Sequence, residues 1–446
     1  MRFSELDGAR VGVWGAGREI SSFAEQLRRR QPATRIVVAA FDEPGDLDVA
    51  AALHAPGVEV VGAAEAARAL ARCEVVVRSP GVSIHRPEVA ELRHAGVPVT
   101  TPTSLWLAER GGRGVIGVTG TKGKSTTAAL AAHLARAAGA EVELAGNIGR
   151  PALDLLDAAG ALAVVELSSY QLADLAMGPE YAVVTNLFAE HIDWHGSERA
   201  YREDKLRILT LDGVREVVLP ARQEDLAAAA TTAAARRLFG APEGWDASDE
   251  GVLLSGSLRV PGSQLPLPGL HNALNLCAAL TALEAAGVVP DDLPSALSGF
   301  HGLPHRLETV LYRDGLTWVD DSISTTPESA LAALASFPGC ELVLLGGGQD
   351  RGQDYAALAR ELAAREALVI GMPSTGTRLV EAARAAGVRS NRALVAEDLA
   401  GAVRTARRLA PAGAVVLLSP AAPSYDRFRD FEERGERFAE LAREGP

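Results

Sequence analysis

The first chemical signal in the chain is Gly114 to Thr127, GVIGVTGTKGKSTT. An apolar run of strand character (Val115, Ile116, Val118) breaks into glycines and continues as a helix beginning at about Lys124. Strand, loop and helix in that order are what a phosphate-binding loop requires. Gly120 and Gly123 let backbone N–H groups turn inward around phosphate oxygens, and the helix that follows adds its positive N-terminal end. Lys124 supplies a point charge and Ser125 a hydroxyl for Mg²⁺. The common G-x-x-x-x-G-K-[ST] spacing has Val118 in place of its first glycine here, with glycines at 117, 120 and 123. ATP or GTP is the expected ligand.

Further reactive groups stand at the ends of strand-like runs. Leu162–Leu167 carries Glu166 and leads into Ser168-Ser169-Tyr170-Gln171, and Tyr181–Leu187 ends in Thr185-Asn186, a few residues before His191. Ligands of a parallel sheet gather at the carboxyl ends of its strands, so Glu166, Asn186 and His191 can meet above the phosphate loop. A carboxylate and an imidazole beside Ser125 would make a metal site. Lys205 lies in a helical stretch, Ala200–Leu209, and on pattern alone is a surface lysine. Asn272 and Asn275 share one helical face ahead of the clear helix Leu276–Ala286.

The elements that must position these groups form three blocks. Residues 1–110 alternate β-rich runs (Arg10–Trp14, Ile36–Phe41, Val58–Val61, Glu74–Val77, Val97–Thr100) with helical segments such as Ser21–Arg30 and Ala63–Ala71, which indicates a parallel sheet with crossover helices. The first strand ends in Gly15-Ala16-Gly17-Arg18-Glu19-Ile20, where Ile20 replaces the third glycine of a dinucleotide fingerprint. That leaves a plain Rossmann-like turn or another nucleotide ligand ahead of NAD. The turn Ser79-Pro80-Gly81-Val82 offers backbone N–H groups to an anion, or is only a turn. Residues 111–302 hold the phosphate loop and continue α/β, although Arg222 to Pro268 is poorly patterned. From Leu303 to residue 446 alternation resumes, with strands at Leu316–Val319, Leu342–Leu345, Leu368–Ile370, Ala393–Val395 and Ala414–Leu418. The expected fold is α/β in three domains: a Rossmann-like N-terminal domain, a central P-loop ATPase-type domain and a Rossmann-like C-terminal domain.

A net charge of −13 argues against a nucleic-acid partner, which needs clustered cations. With 48% apolar and 23% charged residues the chain can bury ordinary cores. Cys73, Cys277 and Cys340 lie far apart with no C-x-x-C spacing, which suggests neither a metal cluster nor a disulfide framework and fits a reducing cytoplasm. The N-terminus runs at once into a strand and glycine turn, unlike a signal peptide. No stretch of about 18 uncharged apolar residues is present, so no membrane association is expected.

Taken together, Gly120-Thr121-Lys122-Gly123-Lys124-Ser125, Gly146-Asn147-Ile148-Gly149, Glu166-Leu167-Ser168-Ser169, the Asn186/His191 segment, His271-Asn272 and His305-Arg306 resemble the Mur ligase family, ATP-dependent amide-forming enzymes of peptidoglycan precursor synthesis. The motifs follow family order over nearly the whole chain. The Gly302-Leu303-Pro304-His305-Arg306 junction and the tail Ser419-Pro420-Ala421-Ala422-Pro423-Ser424-Tyr425-Asp426 are most similar to the glutamate-adding branch. The resemblance implies UDP-N-acetylmuramoyl-L-alanine on the N-terminal domain, ATP on the central domain and glutamate on the C-terminal one. Lys124 would contact the ATP phosphates together with Gly120, Thr121, Gly123 and Thr126. Ser125 and Glu166 would hold one Mg²⁺ and His191 a second. The family's carbamylated lysine falls on Lys205, which would turn a cation into a metal-binding anion. Lys124, His191 and Lys205 are thus the implied catalytic residues. Asn272, Asn275, Arg306 and Asp321 fall where the family grips adenosine. Gly15, Arg18, Ser79 and Gly81 fall in the loops for uridine diphosphate, with Trp14 and Glu19 unusual there. Asn147, Thr325, Arg351, Ser424 and Phe431 complete the implied substrate contacts.

Two departures bear on the amino acid. The family segment Asp-Ser-Lys-Ala-Thr-Asn reads Asp321-Ser322-Ile323-Ser324-Thr325-Thr326 here, and Arg351 stands where lysine is usual. Exchanging D- for L-glutamate with the amine held in line moves both carboxylates, so their cationic anchors must change. The departures resemble those of the variant that adds L-glutamate, whose product a separate epimerase then converts; addition of D-glutamate is the alternative. Two rivals from other classes remain: a nucleotide-gated switch whose ATPase ignores acceptor and glutamate, and a nicotinamide dehydrogenase using the N-terminal turn.

Overall fold

The computed structural model describes residues 1–41, 58–158, 160–188, 192–224, 226, 234–248, 250–267, 269–300 and 302–444. Two compact units divide the chain, Met1–Phe300 and His301–Pro446.

The first unit contains two parallel sheets. Short β-branched runs build the first: β1 (Arg10–Trp14), β2 (Arg35–Phe41), β3 (Glu59–Gly62), β4 (Val75–Arg78) and β5 (Val99–Thr100), in the order β3-β2-β1-β4-β5. Helix α1 (Arg18–Arg30) follows β1 and buries Ile20, Phe23 and Leu27. β4 is buried along its whole length, as expected of a strand covered on both faces. Its last residue, Arg78, is tolerated there because Asp174 takes it in two hydrogen bonds, at 2.8 and 3.0 Å, and the carbonyl of Val82 accepts a third.

The second sheet comprises β6 (Val115–Thr119), β7 (Val142–Gly146), β8 (Leu162–Glu166), β9 (Tyr181–Val184), β10 (Glu216–Pro220) and β11 (Ala235–Phe239), in the order β11-β10-β9-β6-β8-β7. Because β8 and β9 flank β6, the residues that follow them bracket the phosphate loop. Helix α2 (Lys124–Ala137) leaves that loop, α3 (Glu198–Leu206) carries Lys205 and α4 (Leu270–Ala285) packs on α2. Alanines at 128, 129, 131 and 132 on α2 and at 278, 279 and 282 on α4 are buried, and such small residues let two helices approach closely. One core runs through both sheets, joining Val11, Phe23 and Val77 to Trp106, Val165 and Val184.

The segment from Arg222 to Pro268, which shows little pattern in sequence, contributes β10's neighbour β11 and a small antiparallel sheet of β12 (Trp245–Ser248), β13 (Gly251–Leu254) and β14 (Ser257–Pro261).

In the second unit β15 (Glu308–Arg313), β16 (Leu316–Asp320), β17 (Leu342–Gly346), β18 (Leu368–Gly371), β19 (Ala393–Val395) and β20 (Val415–Leu418) take the order β15-β16-β20-β17-β18-β19. β15 is antiparallel to β16, an edge that the alternating pattern did not disclose; the other pairs are parallel. Helix α5 (Phe431–Arg443) closes the chain, capped by Asp430, which accepts from the Glu433 amide.

Candidate active site

The candidate phosphate loop is shaped by contacts that leave no room for side chains at Gly120 and Gly123. Gly120 has φ +143° and Gly123 φ +82°. A Cβ on Gly120 would collide with Thr185 Oγ1, and one on Gly123 with Asn275 Oδ1. The loop is braced from β9: Lys122 N donates to Asn186 Oδ1 at 2.8 Å, while Asn186 Nδ2 and Thr185 Oγ1 donate to Lys122 O at 2.9 and 2.6 Å. Lys124 Nζ donates to Thr121 O at 3.0 Å, which folds the ammonium back over the loop. Thr121 turns its hydroxyl away from the loop mouth, to Tyr201 Oη at 2.8 Å and Phe188 O at 3.0 Å. Asn275 Nδ2 donates to Asn272 Oδ1, so the two asparagines face one way, as their spacing predicts.

Beside the loop, Glu166 ends β8 and is 1% exposed. Its Oε1 accepts from Asn147 Nδ2 at 3.1 Å, whereas its Oε2 is buried with no hydrogen-bond partner among the described residues. A buried carboxylate oxygen left unmet is costly unless a cation completes it. Ser125, at 4% exposed, lies in the first turn of α2, whose partial positive charge favours an anion at the same place. Lys205 is 2% exposed; its Nζ donates to Gly120 O at 2.7 Å and lies 5.1 Å from the centre of the Tyr201 ring. The lysine that pattern alone puts on the surface is thus buried against the phosphate loop. His191 lies outside the described residues. The donor set Ser125 and Glu166 fits a hard divalent cation.

The N-terminal turns converge. Gly15 has φ +86°, and a Cβ there would lie 3.0 Å from Ser79 Cβ and 2.9 Å from Val82 Cγ2. Ser79 N donates to Trp14 O at 2.7 Å. Arg18 reaches across to the carbonyls of Asn147 and Gly149 at 3.1 and 3.0 Å, which ties the first turn to the Asn147–Glu166 pair. Glu19 accepts from Thr103 Oγ1 at 2.9 Å and Gln171 Nε2 at 2.6 Å, and burial pushes its carboxyl pKa up against the pull of those donors.

Sequence reasoning missed a second polar group in this unit. Asp204 Oδ2 accepts from His195 Nδ1 at 2.6 Å and His85 Nε2 at 2.8 Å, and His195 Nε2 meets Ser169 Oγ at 3.0 Å. Trp194 Nε1 donates to Gly81 O at 3.0 Å, and its ring stacks on Tyr170 at 4.5 Å.

In the second unit three segments meet. Ala421 N donates to Ser324 O at 3.0 Å, Gln349 N to Pro423 O at 2.8 Å and Ser322 Oγ to Phe431 O at 2.8 Å. Ser424 is buried, Thr325 partly so, and Phe431 packs edge-on to His305. Arg351 is exposed, with its guanidinium 5.9 Å from the Tyr425 ring centre. Arg306 Nε is buried with no partner among the described residues. Asp321 accepts from Ser419 Oγ at 2.7 Å and from the Leu307 amide at 3.3 Å; burial pushes its pKa up to about 6. Arg434, missed in sequence, sits at the centre and donates to Ser322 Oγ, Ser322 O and Ala422 O at 2.9 to 3.1 Å.

A glycine-built anion loop, a carboxylate with one free oxygen and a buried lysine, all at the carboxyl edge of a parallel sheet, define a nucleotide-dependent α/β enzyme. Comparison with known proteins refines that class. The family descriptions "Mur ligase middle domain" and "Mur ligase, glutamate ligase domain" match residues 118–283 and 305–422. A protein of Micromonospora sp. named UDP-N-acetylmuramoyl-L-alanine–L-glutamate ligase is 46% identical, over 100% of this chain and 98% of its own length. A protein of the same name from Xanthomonas campestris pv. campestris is 41% identical, over 99% and 97%. Among solved structures, the UDP-N-acetylmuramate-alanine ligase MurC of Thermotoga maritima superposes with a TM-score of 0.57 at 20% identity, covering 97% of this chain and 98% of that one. MurF of Acinetobacter baumannii also gives 0.57, at 18% identity over 100% and 93%. These two likenesses concern the fold. The chain belongs to the Mur ligase family, whose members are ATP-dependent amide-bond-forming enzymes.

Proposed function

We propose that this enzyme joins L-glutamate to the L-alanine carboxylate of UDP-N-acetylmuramoyl-L-alanine, with ATP cleaved to ADP and phosphate. The observation that carries the reading is the 46% identity, end to end, with a relative of that name. The rebuilt segment Ile323-Ser324-Thr325 and Arg351 support the choice of enantiomer, since both fall where cationic anchors for the amino acid are implied.

A carboxylate is a poor acylating agent, so its activation as an acyl phosphate is the first chemical requirement. Backbone N–H groups of residues 120–125 and the ammonium of Lys124 would cradle the transferring phosphoryl group and stabilise its charge. Ser125 and Glu166 would hold one Mg²⁺ and His191 a second, which when bound neutralise charge building on the phosphate oxygens. Asn147 holds one oxygen of Glu166 by a hydrogen bond, and Arg18 in turn holds Asn147's carbonyl. Carbamylation of Lys205 would replace a cation beside Gly120 O with an anion able to join that metal site. The glutamate amine then attacks the acyl carbonyl and phosphate leaves. Gly15, Arg18, Ser79 and Gly81 would bind the uridine diphosphate, and Asn272, Asn275, Arg306 and Asp321 the adenosine. Thr325, Arg351, Ser424 and Phe431 would hold the amino acid. The three-domain division at about residues 110 and 302 follows those three ligands. An epimerase acting on the product would be needed wherever D-glutamate is the required residue.

The test is phosphate release with ATP, Mg²⁺ and UDP-N-acetylmuramoyl-L-alanine, comparing L- with D-glutamate and weighing the nucleotide product by mass spectrometry. Release and a glutamyl mass gain with L-glutamate alone are expected. Turnover with D-glutamate alone would overturn the enantiomer assignment, and release that ignores both amino acids would overturn ligation.

A further inference from the structure

Asp204 and Lys205 are consecutive on α3, so their side chains leave the helix about 100° apart. Asp204 points to the Ser79–His85 turn, where it accepts from His85. Lys205 points to the phosphate loop, where it donates to Gly120 O, and Tyr201, one helical turn earlier, meets Thr121 Oγ1. One helix therefore grips the turn with one face and the loop with another. Ser197 caps that helix by accepting from the Ala200 amide at 3.1 Å, and His195, just before the cap, is fixed at both ring nitrogens.

Two other uses of these residues fail. Spacings of 2.6 and 2.8 Å to a shared Asp204 oxygen are hydrogen bonds, shorter than the separation of about 3 Å or more between ligands on a common zinc ion. Ser169, His195 and Asp204 also stand in the order of a nucleophile, base and orienting acid, but ligation through an acyl phosphate leaves a serine nucleophile no step to perform. Placement is what remains. We propose that His85, Asp204 and His195 are positioning residues: they lock the Ser79–His85 turn to α3, so that the turn and the phosphate loop move as one body and Lys205 is held for reaction only when the turn is in place. This rests on the reading above, in which that turn binds the acceptor's diphosphate and Lys205 serves the chemistry.

His85 is exposed, so His85→Ala removes the outer link without disturbing a core; Asp204→Asn weakens both links. Hydrogen exchange of the full chain with Mg²⁺ and a non-hydrolysable ATP analogue reads the coupling. In the parent protein the analogue should slow exchange at residues 120–127 and also at 79–85. In both variants slowing at 120–127 should persist while slowing at 79–85 shrinks roughly fivefold. Turnover number should fall by about tenfold or more with KM for ATP within about twofold. The proposal is overturned if the analogue never affects 79–85 in the parent, or if both variants retain parental exchange and turnover. It is also overturned if Asp204→Asn loses activity only by melting while His85→Ala behaves as the parent. An analogue that leaves 120–127 unprotected instead refutes the nucleotide reading, and with it this coupling.

Discussion

The polar centres of the two units are built on opposite plans. In the first, backbone geometry makes a hollow: glycines at positive φ, an asparagine and a threonine bracing the loop from the end of β9, and a buried Glu166 oxygen with no donor among the described residues. In the second, a buried guanidinium fills the space, and Arg434 ties Ser322 to Ala422 from α5. Binding capacity at the first centre is left open for something that arrives; around Arg434 it is already committed to the fold. The first should therefore fail in function when altered, and the Arg434 contacts in stability.

The largest effect is expected at Gly120. A Cβ there must displace Thr185, whose hydroxyl holds Lys122 O, and the φ of +143° strains any other residue. Gly120→Ala should weaken nucleotide binding by about a hundredfold, or roughly 3 kcal/mol, in a calorimetric titration. Affinity equal to the parent's would mean that the loop does not hold phosphate, and the contrast would lose its first half.

Arg434→Met comes next. It strands Ser322 O and Ala422 O in the interior, and even with partial relaxation the second unit should lose about 3 kcal/mol toward urea. Burial lowers the Arg434 pKa only to about 10, so the parent's guanidinium is charged at neutral pH and its three hydrogen bonds are charge-assisted. An unchanged urea midpoint for exchange at β16 and β20 would show that the centre is as dispensable for stability as the first one is expected to be.

The same contrast explains what could be read from sequence. The glycine loop is contiguous, and each of its residues has a mechanical reason to be there, so Gly120 to Ser125 could be singled out in sequence as a candidate phosphate loop. The parallel sheets followed from alternation. Arg434 and Ser322 are separated by 112 positions and His85 and Asp204 by 119, and although Ser322 falls in the family segment that begins at Asp321, no motif ties it to Arg434 or His85 to Asp204. Only folding brings them together. Lys205 needed family resemblance because helical pattern alone says surface. One signal was present and unused: Ser255-Gly256, with φ +48° and +78°, is the two-residue turn between β13 and β14, and such a dipeptide between alternating runs marks a hairpin. His305–Asp320 at 2.7 Å had no comparable warning, since His305 itself sits at φ +60° in an irregular segment.

The smallest expected effect concerns Asp321, the group in the closed centre that carries a cost. Burial raises its pKa from 3.8 to about 6, against the pull of Ser324, Ser419 and the charge of Arg306. A folded-state pKa above the unfolded one means that the folded protein binds the proton more tightly. Its contribution to stability is therefore full below about pH 4 and lost as pH rises through about 6. At neutral pH the ionised carboxylate is a residual burden on the second unit. Asp321→Asn keeps an acceptor for Ser419 Oγ and removes the titration. The stability of the variant relative to the parent should rise by about 2 kcal/mol between about pH 4.5 and pH 8, measured as the shift in urea midpoint of the second unit. A difference that stays flat would place Asp321 in a wetter site. A difference of the opposite sign would mean that the carboxylate is held ionised by Arg306, and that this centre, too, keeps a charge ready for a ligand.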